Sequence, residues 1–183
     1  PLGEGGMAAF IALKPEIIEE ICEKISAEGK PVQVANYNCP GQIVISGKLE
    51  AVLTASEKLK EAGAKRVIPL NVSGPFHSYL LADAGKKLGE FLENVTIKKP
   101  EIPYAANVTA QYVTEEDKIK PLLEKQVSSS VRWQQSVEYM IADGVDRFVE
   151  IGPGKTLSGF VKKISRDVEI LNVEKLSDLE KLK

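Results

Sequence analysis

An order of strand, helix, strand, strand, helix, strand within about seventy residues constrains this chain more than any other feature. Met7-Ala-Ala-Phe-Ile-Ala-Leu13 is an apolar run of strand length. Lys14-Pro15 opens a helix, with proline in the first turn, where its missing N–H costs nothing. Ile17, Ile18, Ile21, Cys22 and Ile25 recur at helical spacing, and Gly29 ends the helix. Val32–Asn36 and Gln42–Ser46 read as two strands joined by the Asn38-Cys-Pro-Gly41 turn. A second helix is expected from about Leu49 to Ala62, with Val52, Leu53, Ala55, Ser56 and Leu59 on its apolar face. Gly63 stops it, and Lys65–Val72 supplies a fourth strand. Such a split βαβ unit puts both helices on one face of its sheet and leaves the other face for partners. Residues 5–72 are therefore expected to form a small ferredoxin-like subdomain.

The second half has a different rhythm. Helices are expected from Leu80 to about Leu92, from Thr114 to about Gln126, along the stripe Val131, Trp133, Val137, Met140 and Ile141, and from Leu157 to Ile164. Thr114 stands where an N-cap belongs, ahead of acids that suit a first turn, and Trp133 is expected in a core. Strands are expected at Thr96–Lys98, Ile102–Ala106, Arg147–Ile151 and Val168–Val173, and a terminal helix from Ser177. Alternating strands and helices imply a parallel sheet. Residues 73–183 thus read as part of a doubly wound α/β subdomain, with the boundary near Val72 to Pro75.

Directly after that boundary stands His77, the only histidine in 183 residues. Its setting is Asn71-Val-Ser-Gly-Pro-Phe-His-Ser-Tyr79, a turn between a strand and a helix. Imidazole changes charge near neutral pH and can shuttle protons, and ligand sites favour domain junctions. A histidine base needs a nucleophile, and on an α/β sheet that is usually a serine in G-x-S-x-G. The chain has no such elbow: Thr156-Leu-Ser-Gly159 lacks the leading glycine. Gly154-Lys-Thr156 matches only the end of a phosphate loop, because Val149 stands where its first glycine belongs. Gly152-Pro-Gly154 reads instead as a tight turn. Asn36, Asn38 and Gln42 cluster at the second hairpin, where turn chemistry alone accounts for them, as it does for Cys39.

Composition closes off other classes. A net charge of −2 with scattered Lys and Arg gives no footprint for nucleic acid or anionic membrane. Two cysteines and one histidine complete neither a disulfide framework nor a common zinc set, which suits a reducing, cytoplasmic setting. No apolar run reaches membrane-spanning length, and no signal pattern opens the chain. Its start, Pro1-Leu-Gly-Glu-Gly-Gly6, reads as a loop without an initiator Met, as though the chain began mid-protein.

Several stretches, in order, carry a resemblance: Asn36-Tyr-Asn-Cys-Pro-Gly-Gln-Ile-Val-Ile-Ser-Gly47, Val72-Ser-Gly-Pro-Phe-His-Ser78, Val131-Arg-Trp-Gln-Gln-Ser-Val-Glu-Tyr-Met140 and Glu150-Ile-Gly-Pro-Gly-Lys-Thr-Leu157. The chain resembles the C-terminal part of bacterial malonyl-CoA:acyl-carrier-protein transacylases of fatty acid synthesis. The resemblance implies a ferredoxin-like subdomain inserted into an α/β-hydrolase-like one, with residues 73–183 the C-terminal portion of the latter. It implies that His77 is the catalytic base and that Gln126 orients it through its main-chain carbonyl. Asn36, Asn38 and Gln42 would border the acyl-CoA channel, Lys65 and Arg66 would meet CoA phosphates, and Phe76 would accompany malonyl selectivity. No cofactor is implied; malonyl-CoA enters as substrate, and acyl carrier protein is the partner. The family's Gly-His-Ser-Leu-Gly elbow and the arginine for the malonyl carboxylate would lie upstream, in a missing N-terminal part. The expected chain is therefore an incomplete transacylase, inactive alone; the alternative is a non-catalytic module that binds CoA or carrier protein.

Overall fold

In the computed structural model, which describes residues 3–182, the first half is a four-stranded antiparallel sheet in the order β2-β3-β1-β4. The strands are β1 (Gly5–Ile11), β2 (Val32–Cys39), β3 (Gln42–Lys48) and β4 (Arg66–Pro69). Helices α1 (Pro15–Ala27) and α2 (Leu49–Glu61) connect them in the ferredoxin-like manner. Their apolar stripes cover one face. Ile18, Ile25 and Leu59 pack with Phe10, Val34 and Ile45 into a continuous core from which water is excluded. On the opposite face a smaller cluster joins Met7, Ala9, Ala35 and Val44 to Leu70.

The outlines differ from the sequence reading at instructive points. Strand β1 starts at Gly5, before Met7, because Gly5 and Gly6 pair with Lys48 and Gly47 of β3, and Pro75 lies directly on Gly5. A Cβ at Gly5 would sit 2.4 Å from the Pro75 ring, so only glycine admits this approach. The strand stops before Leu13 because Ala12 turns left-handed, with φ of 64°, and donates its N–H to the Gly41 carbonyl. On α2 it is Ala51, not Leu53, that joins Val52, Ala55 and Leu59 in the core; Leu53 is 55% exposed. A stripe as narrow as the two-helix layer requires leaves room for a small residue there, not for a second leucine.

The second half begins with a 3-10 turn, Tyr79–Leu81, that runs into α3 (Ala82–Glu93). The strand expected at Thr96–Lys98 is absent: the segment has no regular structure, and Ile97 anchors it against Ala106, Val113 and Ile119. The strand expected from Ile102 shrinks to β5 (Tyr104–Ala106), since Pro103 has no N–H for a ladder and Ile102 is exposed. Its partner β6 (Gln111–Val113) gave no sequence signal. Helix α4 (Glu116–Ser128) is capped at Glu115 without a side-chain bond, so Thr114 lies one residue outside the N-cap expected of it. Then follow α5 (Trp133–Ala142), β7 (Arg147–Ile151), α6 (Thr156–Ile164) and β8 (Glu169–Val173). β7 and β8 pair in parallel, from Arg147 opposite Glu169 to Ile151 opposite Val173. The terminal segment is 3-10, Leu176–Leu182. Trp133 is half-buried rather than fully in a core, and its Nε1 is buried without a partner.

Two halves meet along β2, an edge strand of the first sheet. Val131 pairs with Asn36 as a parallel stub: Tyr37 N–H donates to Val131 O at 2.9 Å, and Val131 N–H donates to Ala35 O at 2.8 Å. Ser130 Oγ adds a bond to Val34 O. This satisfies backbone groups that an open edge would leave bare. No described helix is long and apolar enough to cross a membrane.

Candidate active site

The chain leaving β4 crosses the sheet and turns sharply at His77, whose φ is 55°. A side chain rarely adopts this left-handed conformation without being held there. What holds it can be named. Pro75 is buried against Gly5, Ser78 is fully buried, and Ser78 Oγ donates to Pro75 O at 2.7 Å. His77 itself is half-buried.

The imidazole meets the end of α4. His77 Nδ1 lies 3.2 Å from the main-chain oxygen of Gln126. A carbonyl only accepts, so Nδ1 carries a proton, and in the neutral ring Nε2 keeps a lone pair. The last four carbonyls of a helix lack partners within it, and that end carries partial negative charge. It therefore complements the positive charge a ring acquires on taking up a proton. The Gln126 side chain turns back on its own helix end, donating to Ser129 O at 3.0 Å. Only its backbone faces the histidine, so the residue's identity matters less than its place.

Of the other sequence-predicted residues, Asn36, Gln42 and Arg66 lie on the helix-free face of the first sheet. Cross-strand partners share a face, and Arg66, Ile11 and Gln42 form one rung. Asn36 stands opposite Val44, at a bulge in β2. A second bulge follows between Tyr37 and Cys39, and it contains Asn38. Asn36, Asn38 and Gln42 are half-buried; Lys65 and Arg66 are exposed. The Gln42 rung is four residues along β3 from the Ser46 rung beneath the histidine turn, about 13 Å at strand rise. The structure thus joins His77 directly to Gln126 and sets the basic pair well away from both. Phe76, adjacent in sequence, is 44% exposed.

Two residues at this site escaped the sequence reading. Lys163 on α6 reaches the hairpin and donates to Gln42 Oε1 at 3.4 Å. Its signal was the Lys162-Lys163 pair at a helix end, a feature too common to select. Gln33 sits on β2 under the histidine turn, and its carboxamide bonds to His77 O and to the N–H of Tyr79. A polar residue between two buried valines is what any half-exposed strand looks like. An open groove of 710 Å³ along α6 and β8, edged by Lys155, Lys162 and Arg166, includes none of the predicted residues.

Glu150 closes the turn after β7. It accepts from the N–H groups of Leu157 and Ser158, at 3.0 and 2.8 Å, at the start of α6. Burial pushes its carboxyl up, but the hydrogen bonds from Ser158 and Leu157 outweigh burial and hold it below the ordinary carboxylate range. Asn172 Nδ2 donates to Gly154 O at 2.8 Å, completing the turn. Gly152-Pro-Gly154 is therefore a tight corner that leads into α6, whose first N–H groups are already taken by the Glu150 carboxylate. Among the described residues, no three His, Cys, Asp or Glu side chains gather as a metal site would require.

Known proteins give this arrangement a context. Residues 2–179 match the acyl transferase domain family. A malonyl CoA-acyl carrier protein transacylase of Bacillus subtilis (strain 168) is 48% identical over 180 residues, which cover 98% of this chain and 57% of the relative. The crystal structure of a malonyl CoA-acyl carrier protein transacylase from Clostridium perfringens superposes with a TM-score of 0.94 at 48% identity, covering all of this chain and 57% of that one. A malonyl-transacylase in complex with its type II PKS acyl-carrier protein gives a TM-score of 0.94 at 37% identity, covering 98% of this chain and 58% of that one. The chain thus spans little more than half the length of the proteins it matches.

Proposed function

This chain belongs to the acyl transferase domain family, and from that premise we propose that its parent protein moves a malonyl group from CoA to the pantetheine thiol of acyl carrier protein. His77 is the base and acid. A serine Oγ gives its proton to His77 Nε2 and bonds to the malonyl thioester carbon. The tetrahedral intermediate collapses, the C–S bond breaks, and CoA leaves with the proton from His77. The carrier thiol then gives its proton to His77, attacks the malonyl ester, and the serine oxygen takes the proton back. The contact that carries this reading is His77 Nδ1 on the Gln126 carbonyl, which leaves Nε2 free for the proton.

The serine is proposed to lie outside these 183 residues, since the chain contains no G-x-S-x-G. Alone, the chain supplies base, orienter and one wall of the channel, and it should not turn over. Asn36, Asn38 and Gln42 would line the acyl-CoA path, with Lys163 beside them. Lys65 and Arg66 would meet the phosphates of a long, extended CoA, a reading their exposure supports. Phe76 would limit the acyl group to malonyl. Two substrates of primary metabolism and two free cysteines suit the cytoplasm.

Intact-mass spectrometry before and after brief exposure to malonyl-CoA tests the reading. The parent protein should gain one malonyl adduct, and its His77→Ala variant should form it at least about 100-fold more slowly. Adduct formation at the same rate without His77 would sink the catalytic assignment. Binding of CoA or carrier protein without any adduct would favour the non-catalytic module instead.

A further inference from the structure

We propose that Gln33 is the positioning residue that sets the geometry of His77, an inference that rests on the transacylase reading. Its carboxamide makes three hydrogen bonds. Nε2 donates to His77 O at 3.1 Å and to Ser128 O at 3.3 Å, and Oε1 accepts from Tyr79 N–H at 3.1 Å. The first and third clamp the backbone on either side of Ser78, immediately after the left-handed residue. The second takes one of the last carbonyls of α4, two residues beyond Gln126.

That placement has a consequence for the ring. The His77–Gln126 contact joins segments 49 residues apart, and each could shift independently of the other. Gln33 ties both to one point on β2. Its own position is fixed, because Val32 and Val34 on either side are buried in the helix-facing core. A strand of the small subdomain thereby sets the distance between the base and its orienter. Glutamine suits the task because one planar group donates twice and accepts once. Glutamate has the same shape but, when ionised, only accepts, and it would face two carbonyl oxygens.

The test uses the parent protein with Gln33→Glu and Gln33→Leu. Each variant should lower kcat for malonyl transfer about 10- to 100-fold, the cost of misaiming a catalytic group, while KM for malonyl-CoA stays near that of the wild type. In 15N-histidine-labelled protein, with the His77 signals assigned by their loss in His77→Ala, the ring should lose its preference for the Nδ1–H tautomer. Wild-type kcat and an unchanged tautomer in Gln33→Glu would overturn the proposal, as would a loss confined to KM. Should Gln33→Leu fail to fold, Gln33→Glu decides alone, since it preserves shape and packing. A wild-type parent that forms no malonyl adduct would defeat the functional reading, but the tautomer would still decide whether Gln33 orients His77.

Discussion

The four-stranded sheet and the parallel β7–β8 pair are built on opposite terms. The four-stranded sheet closes over its own core: Ile25, Ile45 and Leu59 have no exposed surface, and its β2 edge is covered by Val131. The β7–β8 pair holds the ladder of a parallel sheet but not its cover, with Ile151 80% exposed and Val149 38%. Parallel strands are ordinarily buried on both faces. The first sheet builds its core from contiguous sequence, whereas the β7–β8 pair presents apolar surface of the kind that marks an interface. The candidate base stands over the first sheet, bonded to Gln33 of β2 and to the end of α4.

If this contrast is right, truncating a buried side chain in the first half should be costly. Leu59→Ala should lose about 2–5 kcal/mol in urea unfolding; a loss under about 0.5 kcal/mol would mean that the first sheet is not a closed core. Gly5→Ala should cost less overall but act on the site, because its Cβ must push Pro75 and with it the histidine turn. We expect a drop of about 1–3 kcal/mol, together with changed His77 ring signals, and unchanged signals would detach the turn from β1.

Thiol chemistry separates the halves more finely. Both cysteines lie in the first, and burial pushes the Cys22 thiol up to about 12. Iodoacetamide at pH 8 should therefore label Cys22 only when that half opens, at a rate that rises with Leu59→Ala. Labelling that ignores Leu59→Ala would show that the thiol is reached by local fraying. In the second half, acid should loosen α6 first. Glu150 has a depressed folded value, so its stabilisation is complete above its unfolded value near 4.5 and is lost as pH falls through the lower folded value. Amide exchange at Leu157 and Ser158 should quicken in that window and in Glu150→Gln. The smallest effect is expected on the open face: Ile151→Ser should change stability by less than about 0.5 kcal/mol while reducing self-association in sedimentation. Undiminished association would show that this face is not the adhesive one.

Much of the site was legible because its signals are local. His77 follows a strand and a Ser-Gly-Pro turn, Asn36 and Gln42 flank a hairpin, and motif order carried the resemblance. Gln33 and Lys163 were not legible, since each acts through partners 44 and 121 residues distant. The same distinction explains the errors of outline. Thr96–Lys98 has strand composition, but no neighbour came to pair with it, and Leu53 has core composition on a helix whose inward face had room only for Ala51.

Periodicity and turn residues determined by themselves the four strands and two helices of the first half, because short-range sterics and hydrophobic spacing suffice to specify them. They also placed a lone imidazole at a junction. Only the tertiary structure decided that its Nδ1 meets a helix-end carbonyl, that a glutamine of β2 bonds to the backbone on either side of Ser78, and that Gly5 must be glycine. Those facts depend on segments that touch without being neighbours, and hydrogen-bond geometry between them is fixed by packing rather than by residue order.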